Sequence, residues 1–81
     1  ENAIKDFNAA ISINFRNDED YNRRGNAYYA QGKYKEAIDD YSQAIELKPN
    51  SETYYSNRGM AYNELKDYEN AIKDFNAAIS I

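Results

Sequence analysis

Apolar and aromatic residues return every three or four positions through five stretches of this chain, and polar runs separate them. That spacing places them on one face of a helix. Within residues 18–47, Tyr21, Arg24, Gly25 and Tyr28 make one stripe, and Ala37, Ile38, Tyr41, Ala44 and Ile45 make the next. Gly32 can adopt the left-handed conformation that ends a helix, with Lys33 following into a tight turn. Pro49 lacks an N–H and forces the preceding residue out of the helical region, which stops the helix that begins at Tyr34. Asn50 or Ser51 then caps a helix starting near Glu52. Lys66-Asp67 replaces the Gly-Lys turn, with Asp67 as the N-cap. Asn14 and Asn17 serve the turn around Phe15, where Pro would be expected. The pattern predicts five helices, at about 1–13, 18–31, 34–47, 52–65 and 68–81, and no strand.

The pattern also repeats. Tyr21, Arg24, Gly25, Ala27, Tyr28, Tyr34, Ala37, Ile38, Asp40, Ala44 and Ile45 recur 34 residues later as Tyr55, Arg58, Gly59, Ala61, Tyr62, Tyr68, Ala71, Ile72, Asp74, Ala78 and Ile79. A period of that length marks stacked helical units that share surface with their neighbours, in place of a closed core. The chain divides into the second helix of a partial unit (1–17), a complete unit (18–51) and a unit lacking its terminal turn (52–81), about two and a half in all. Glu1–Ile13 and Glu69–Ile81 are identical, while the intervening copy Lys35–Leu47 has drifted. Recent duplication of a two-unit block, an engineered concatemer, or a window onto a longer array would each produce this. Joining Ile81 to Asn14 continues the sequence, so head-to-tail stacking into a longer superhelix is one expectation.

Composition narrows the chemistry. With no His and no Cys, the chain lacks the commonest general base, the thiol nucleophile and the usual zinc ligands. It also lacks a Gly-rich phosphate loop, so neither an enzyme nor a cofactor or metal site is expected. Asp18, Glu19 and Asp20 have no calcium-loop spacing and instead suit the positive end of the helix they begin. The formal charge of −4 opposes nucleic-acid binding, and no apolar run is long enough to cross a membrane. A cytoplasmic location is expected.

Tyr21, Gly25, Ala27, Tyr28, Tyr34, Ala37, Tyr41, Ala44 and Pro49 together resemble the tetratricopeptide repeat signature, and the match covers the whole chain. The resemblance implies an all-α, right-handed superhelix acting as a protein-interaction scaffold. It places Asn22, Asn26 and Tyr29 on the concave side, Arg23 at its edge, and Ser56, Asn57, Met60, Asn63 and Glu64 beside them from the next unit. Amides that both donate and accept suit a peptide backbone, so a protein or peptide partner in this groove is expected. Relatives that clamp acidic chaperone tails use Asn at the positions of Asn26 and Asn57. Their partnering Lys is replaced here by Asn22, and no third unit follows within these residues, which argues against such a clamp. Arg24 and Arg58 stand where the family often has Leu. A half-buried charge needs a partner, so Arg24 is expected to pair with Asp6 or Asp40, and Arg58 with Asp40 or Asp74, across neighbouring units.

Overall fold

A computed structural model describes Asn2–Ile81. It contains α1 (Asn2–Ile13), α2 (Asp18–Ala30), α3 (Tyr34–Leu47), α4 (Glu52–Glu64) and α5 (Tyr68–Ser80), and no strand among the described residues. The expected start of the first helix at Glu1 lies outside the described residues. We call α2 and α4 the leading helices of their units and α1, α3 and α5 the trailing ones. Each helix packs on its neighbour in sequence, and the two leading helices also touch. Among the described residues, no two trailing helices bring their backbones together. The result is a slab of 33 × 25 × 12 Å.

Turn chemistry sets the boundaries. Asn17 accepts the backbone N–H groups of Glu19 and Asp20 at the start of α2, and Ser51 accepts that of Tyr54 at the start of α4. Each oxygen satisfies a donor that the first turn cannot pair internally. Asn14 braces the turn before α2 by accepting the Arg16 N–H at 3.1 Å. The α2–α3 turn is a Schellman motif. Gly32 sits at φ 77°, its N–H donates to Tyr29, and the Lys33 N–H donates to Tyr28. Lys66 holds the corresponding left-handed position at φ 64° without the freedom of glycine. Asp67 then accepts the Asn70 N–H as cap, whereas Lys33, at the same place one unit earlier, makes no side-chain cap bond.

The buried residues form two clusters that share α3. One joins Tyr21, Ala44, Ile45 and Tyr54, with Ile11 and Tyr55 against it. The other joins Ala37, Tyr41 and Ala61, with Tyr28, Tyr29 and Ile38 against it. Helix α3 is therefore covered on both sides, by α2 and by α4, and a large apolar side chain such as Ile45 contributes roughly 1.5–3 kcal/mol on burial. Close approach of α2 and α3 depends on Gly25, since a Cβ there would lie 2.7 Å from Tyr41 Cε1. Phe75 is in helical phase with the outer side of α5 but turns in over Gly59. Ile72 and Ile79 do remain on that outer side.

Candidate functional site

Two arginine rivets hold the helices that carry the site. Arg24 donates from Nε and Nη2 to Asp40 at 2.8 and 2.7 Å, and from Nη1 to Asn8 Oδ1 at 2.7 Å. Arg58 repeats this with Asp74 at 2.8 and 2.8 Å and Ser42 Oγ at 3.0 Å. Both carboxylates are only 4% exposed, so the bidentate pairing supplies charge balance that solvent does not. Hydrogen bonding to Asp40 holds the Arg24 pKa above its ordinary value, and Asp74 does the same for Arg58. The guanidinium carbons also stand 5.8 Å from the Tyr21 ring and 5.6 Å from the Tyr55 ring.

Each arginine takes one of its two expected partners, but the expectation that the ion pair itself spans neighbouring units is corrected. Each ion pair lies within one unit, joining its leading helix to its trailing helix. The link to the preceding unit is the third, neutral bond to Asn8 or Ser42. Asp6 is exposed and pairs with neither arginine. It occupies the Asp40 position of the first unit, and the leading helix that would supply its arginine is not among these residues.

Between α2 and α4 lies a shallow depression of about 70 Å³, lined by Asn26, Tyr29, Tyr41, Asn57 and Met60. Tyr41 is its floor, 1% exposed, and donates its hydroxyl to Asn26 Oδ1 at 2.6 Å. Burial pushes the Tyr41 pKa up to about 12, since a phenolate there would be poorly solvated. Three side-chain bonds bridge the leading helices along this wall. Tyr54 donates to Asp18, Asn57 Nδ2 donates to Asn22 Oδ1 at 2.9 Å, and Tyr29 donates to Glu64 at 3.2 Å. Burial and the Asp18 carboxylate raise the Tyr54 pKa, and burial and Glu64 raise that of Tyr29.

Of the groove residues expected from sequence, Asn26, Tyr29, Asn57 and Met60 come together in this depression. Asn22 and Arg23 line a second, open hollow of about 360 Å³ with Glu19, Lys48, Ser51, Thr53 and Tyr54. Arg23 is turned toward Glu19 and Asp20, at 3.4 and 3.9 Å. Glu64 joins through its bond to Tyr29, while Ser56 and Asn63 line neither hollow. Sequence reasoning missed Tyr41 as the floor, although its place above Gly25 was a signal. It also missed Tyr54, whose core position masked its bond to Asp18. Among the described residues, no cluster of His, Cys, Asp or Glu could hold a metal, and no helix is long and apolar enough to cross a membrane.

Two sequence models of known families match the chain. That of the TPR repeat covers residues 25–65, half of the chain, and that of the tetratricopeptide repeat covers residues 53–81. The chain belongs to the tetratricopeptide repeat family. The TPR units seen here superpose on solved TPR structures. The crystal structure of MamA aligns with a TM-score of 0.92 at 28% identity, over 95% of this chain and 45% of MamA. The first TPR of Spaghetti (RPAP3), bound to the HSP90 peptide SRMEEVD, aligns at 0.92 with 26% identity, over 95% of this chain and 61% of that one. The second TPR of Spaghetti, bound to the same peptide, aligns at 0.90 with 29% identity, over 94% of this chain and 70% of that one. The chain thus spans less than half of MamA. No curated protein sequence matches it.

Proposed function

We propose that the chain is a protein-interaction scaffold that holds a peptide segment in the trough between α2 and α4. The observation that carries this reading is the convergence of Asn26, Tyr29, Asn57 and Met60 on one depression. Asn26 uses its carbonyl on Tyr41 and keeps its N–H groups to donate. Asn57 spends an N–H on Asn22 and keeps its carbonyl to accept. A peptide backbone needs one of each. Met60, 46% exposed, offers adaptable apolar contact beside them. The likeness to Spaghetti TPRs bound to the HSP90 peptide SRMEEVD supports a peptide as the partner. Among the described residues no cation lines this depression, so recognition runs through amides and not through a clamped terminal carboxylate.

The test is an NMR titration of the chain with SRMEEVD and with its C-terminal amide. Both peptides should shift Asn26, Asn57 and Met60 with similar affinity. Asn57→Ala should weaken binding about three- to tenfold, the worth of one hydrogen bond. Unmoved resonances in the trough would overturn the reading. Loss of binding on amidation would assign a carboxylate clamp instead.

A further inference from the structure

The open hollow beside Lys48 lies one helical turn from the amide-lined depression, along the same pair of helices. Asn22 and Asn26 are four residues apart on α2, as Thr53 and Asn57 are on α4, which offsets the two sites by about 6 Å. The Asn22–Asn57 bond at 2.9 Å forms the saddle between them. The chemistry changes across that saddle. On the hollow side, Asn22 uses its carbonyl on Asn57 and keeps its N–H groups to donate. Ser51 Oγ accepts the Tyr54 N–H, which leaves its O–H to donate. Thr53 adds a second hydroxyl and Lys48 an ammonium. Among the described residues, Glu19 is the one carboxylate on this lining, and Arg23 already faces it at 3.4 Å. The neighbouring Asp18 accepts the Tyr54 hydroxyl. Lys48 makes no ion pair among the described residues. The lining is therefore left with donors in surplus and one unmatched positive charge.

The backbone fixes where that charge stands. The Lys48 N–H donates to Ala44 at the end of α3, and Pro49 restricts the Lys48 backbone, which sits at φ -141° and ψ 84°. At the corresponding junction 34 residues earlier stand Asn14 and Phe15, so the charge belongs to the α3–α4 junction. We propose that this hollow receives the carboxylate of a Glu or Asp side chain carried by the same peptide that lies in the trough. The proposal rests on the peptide-binding reading above and adds a charge and a register to it. An extended chain advances about 3.3 Å per residue and returns its side chains to one face at every second residue. Two residues thus span about 6.6 Å, close to the offset of one helical turn. The acidic residue therefore stands two positions from the apolar residue that rests on Met60. The net charge of −4 repels an acidic segment at a distance, so the local ammonium of Lys48 supplies the attraction that such a segment needs.

Fluorescence anisotropy tests this with dye-labelled SRMEEVD amide and its neutral replacements, SRMQEVD amide and SRMEQVD amide. The first replacement removes the acid two places before Val, and the second removes the acid two places after Met. One of them should bind the parent chain about two- to fivefold more weakly than SRMEEVD amide, the effect of an exposed ion pair. In Lys48→Ala that difference should vanish. In Lys35→Ala, an equal loss of charge at the opposite end of α3, it should persist. Equal affinity of all three peptides for the parent chain overturns the subsite. So does a difference that survives in Lys48→Ala, since diffuse charge attraction would do that. Asn57→Ala separates the two readings. If it weakens all three peptides while Lys48→Ala leaves their order unchanged, the trough stands and the acidic subsite falls. Peptides that bind without any response to Asn57→Ala overturn both.

Discussion

Gly25 is the position where the packing argument can be pressed hardest. An alanine Cβ at this site would lie 2.7 Å from Tyr41 Cε1 and 2.9 Å from Cδ1. Carbon atoms in contact prefer about 3.5–4.0 Å, so ring or helix must move by nearly 1 Å. The ring has little room to move, being 1% exposed and tied by its hydroxyl to Asn26. Overpacking of this kind costs roughly 1–3 kcal/mol, and the better helix propensity of alanine returns up to about 1 kcal/mol. Gly25→Ala should therefore lose about 1–2 kcal/mol, lowering Tm by roughly 4–8 °C per kcal/mol for a chain of this size. Gly59 supplies the comparison, because its Cβ would lie 2.8 Å from Phe75 Cε1. Phe75 is only half-buried and has no hydroxyl tether, so Gly59→Ala should cost about 1 kcal/mol less. Thermal unfolding followed by circular dichroism measures both. In a Tyr41→Phe background, the cost of Gly25→Ala should shrink by about 0.5 kcal/mol or more, since the freed ring can slide. Equal losses at Gly25 and Gly59, or a Gly25→Ala protein as stable as its parent, would refute the reasoning.

Three further outcomes follow from the same contacts. Tyr41 holds its proton to about pH 12 when folded, while in the unfolded chain it ionises near the ordinary tyrosine value of 10.0. Its contribution is complete below pH 10 and is lost as pH rises toward 12, because there the unfolded state binds fewer protons than the native one. Melting temperatures should hold to about pH 10 and then fall, less steeply in Tyr41→Phe. Each unit has half of a good turn, Gly32-Lys33 in one and Lys66-Asp67 in the other. Lys33→Asp should add about 0.5–1 kcal/mol by capping α3, and Lys66→Gly up to about 1 kcal/mol by relieving the left-handed residue, both read from urea midpoints. Arg24→Ala strands the buried Asp40 and should cost about 2–3 kcal/mol, below the range for fully buried pairs because Arg24 keeps a fifth of its surface in water. Asp6→Asn, by the same chemical-denaturation assay, should change nothing measurable.

The five helices were legible because every stop is written locally. Gly32, Pro49, Asn17, Ser51 and Asp67 act within a few residues of where they stand, and the 34-residue period checks each against another. The arginine pairing was not settled in this way. Asp6 lies 18 residues before Arg24 and Asp40 lies 16 after it, and spacing alone permits both. The structure chooses Asp40 because the fork points along its own unit. The trough was legible in part. Asn26, Tyr29, Asn57 and Met60 follow from helical phase, but the bonds that join α2 to α4 link residues 35 or 36 apart. Overlaying repeats at 34 cannot reveal such partners, because they are never equivalent positions. The direction of Phe75 was hidden for a related reason, as it is set by the missing side chain of Gly59.

The arginine rivets obey a symmetric rule. Each takes its carboxylate from 16 residues downstream and its neutral acceptor from 16 residues upstream. The upstream acceptor is an amide in one case and a hydroxyl in the other, so the coupling tolerates variety at that point. Units from unrelated arrays could accordingly be spliced, provided the donor module keeps its Arg and Asp and the recipient ends in a small hydrogen-bonding residue at the matching place. What travels with a module is its charge balance; what it asks of its host is a single lone pair.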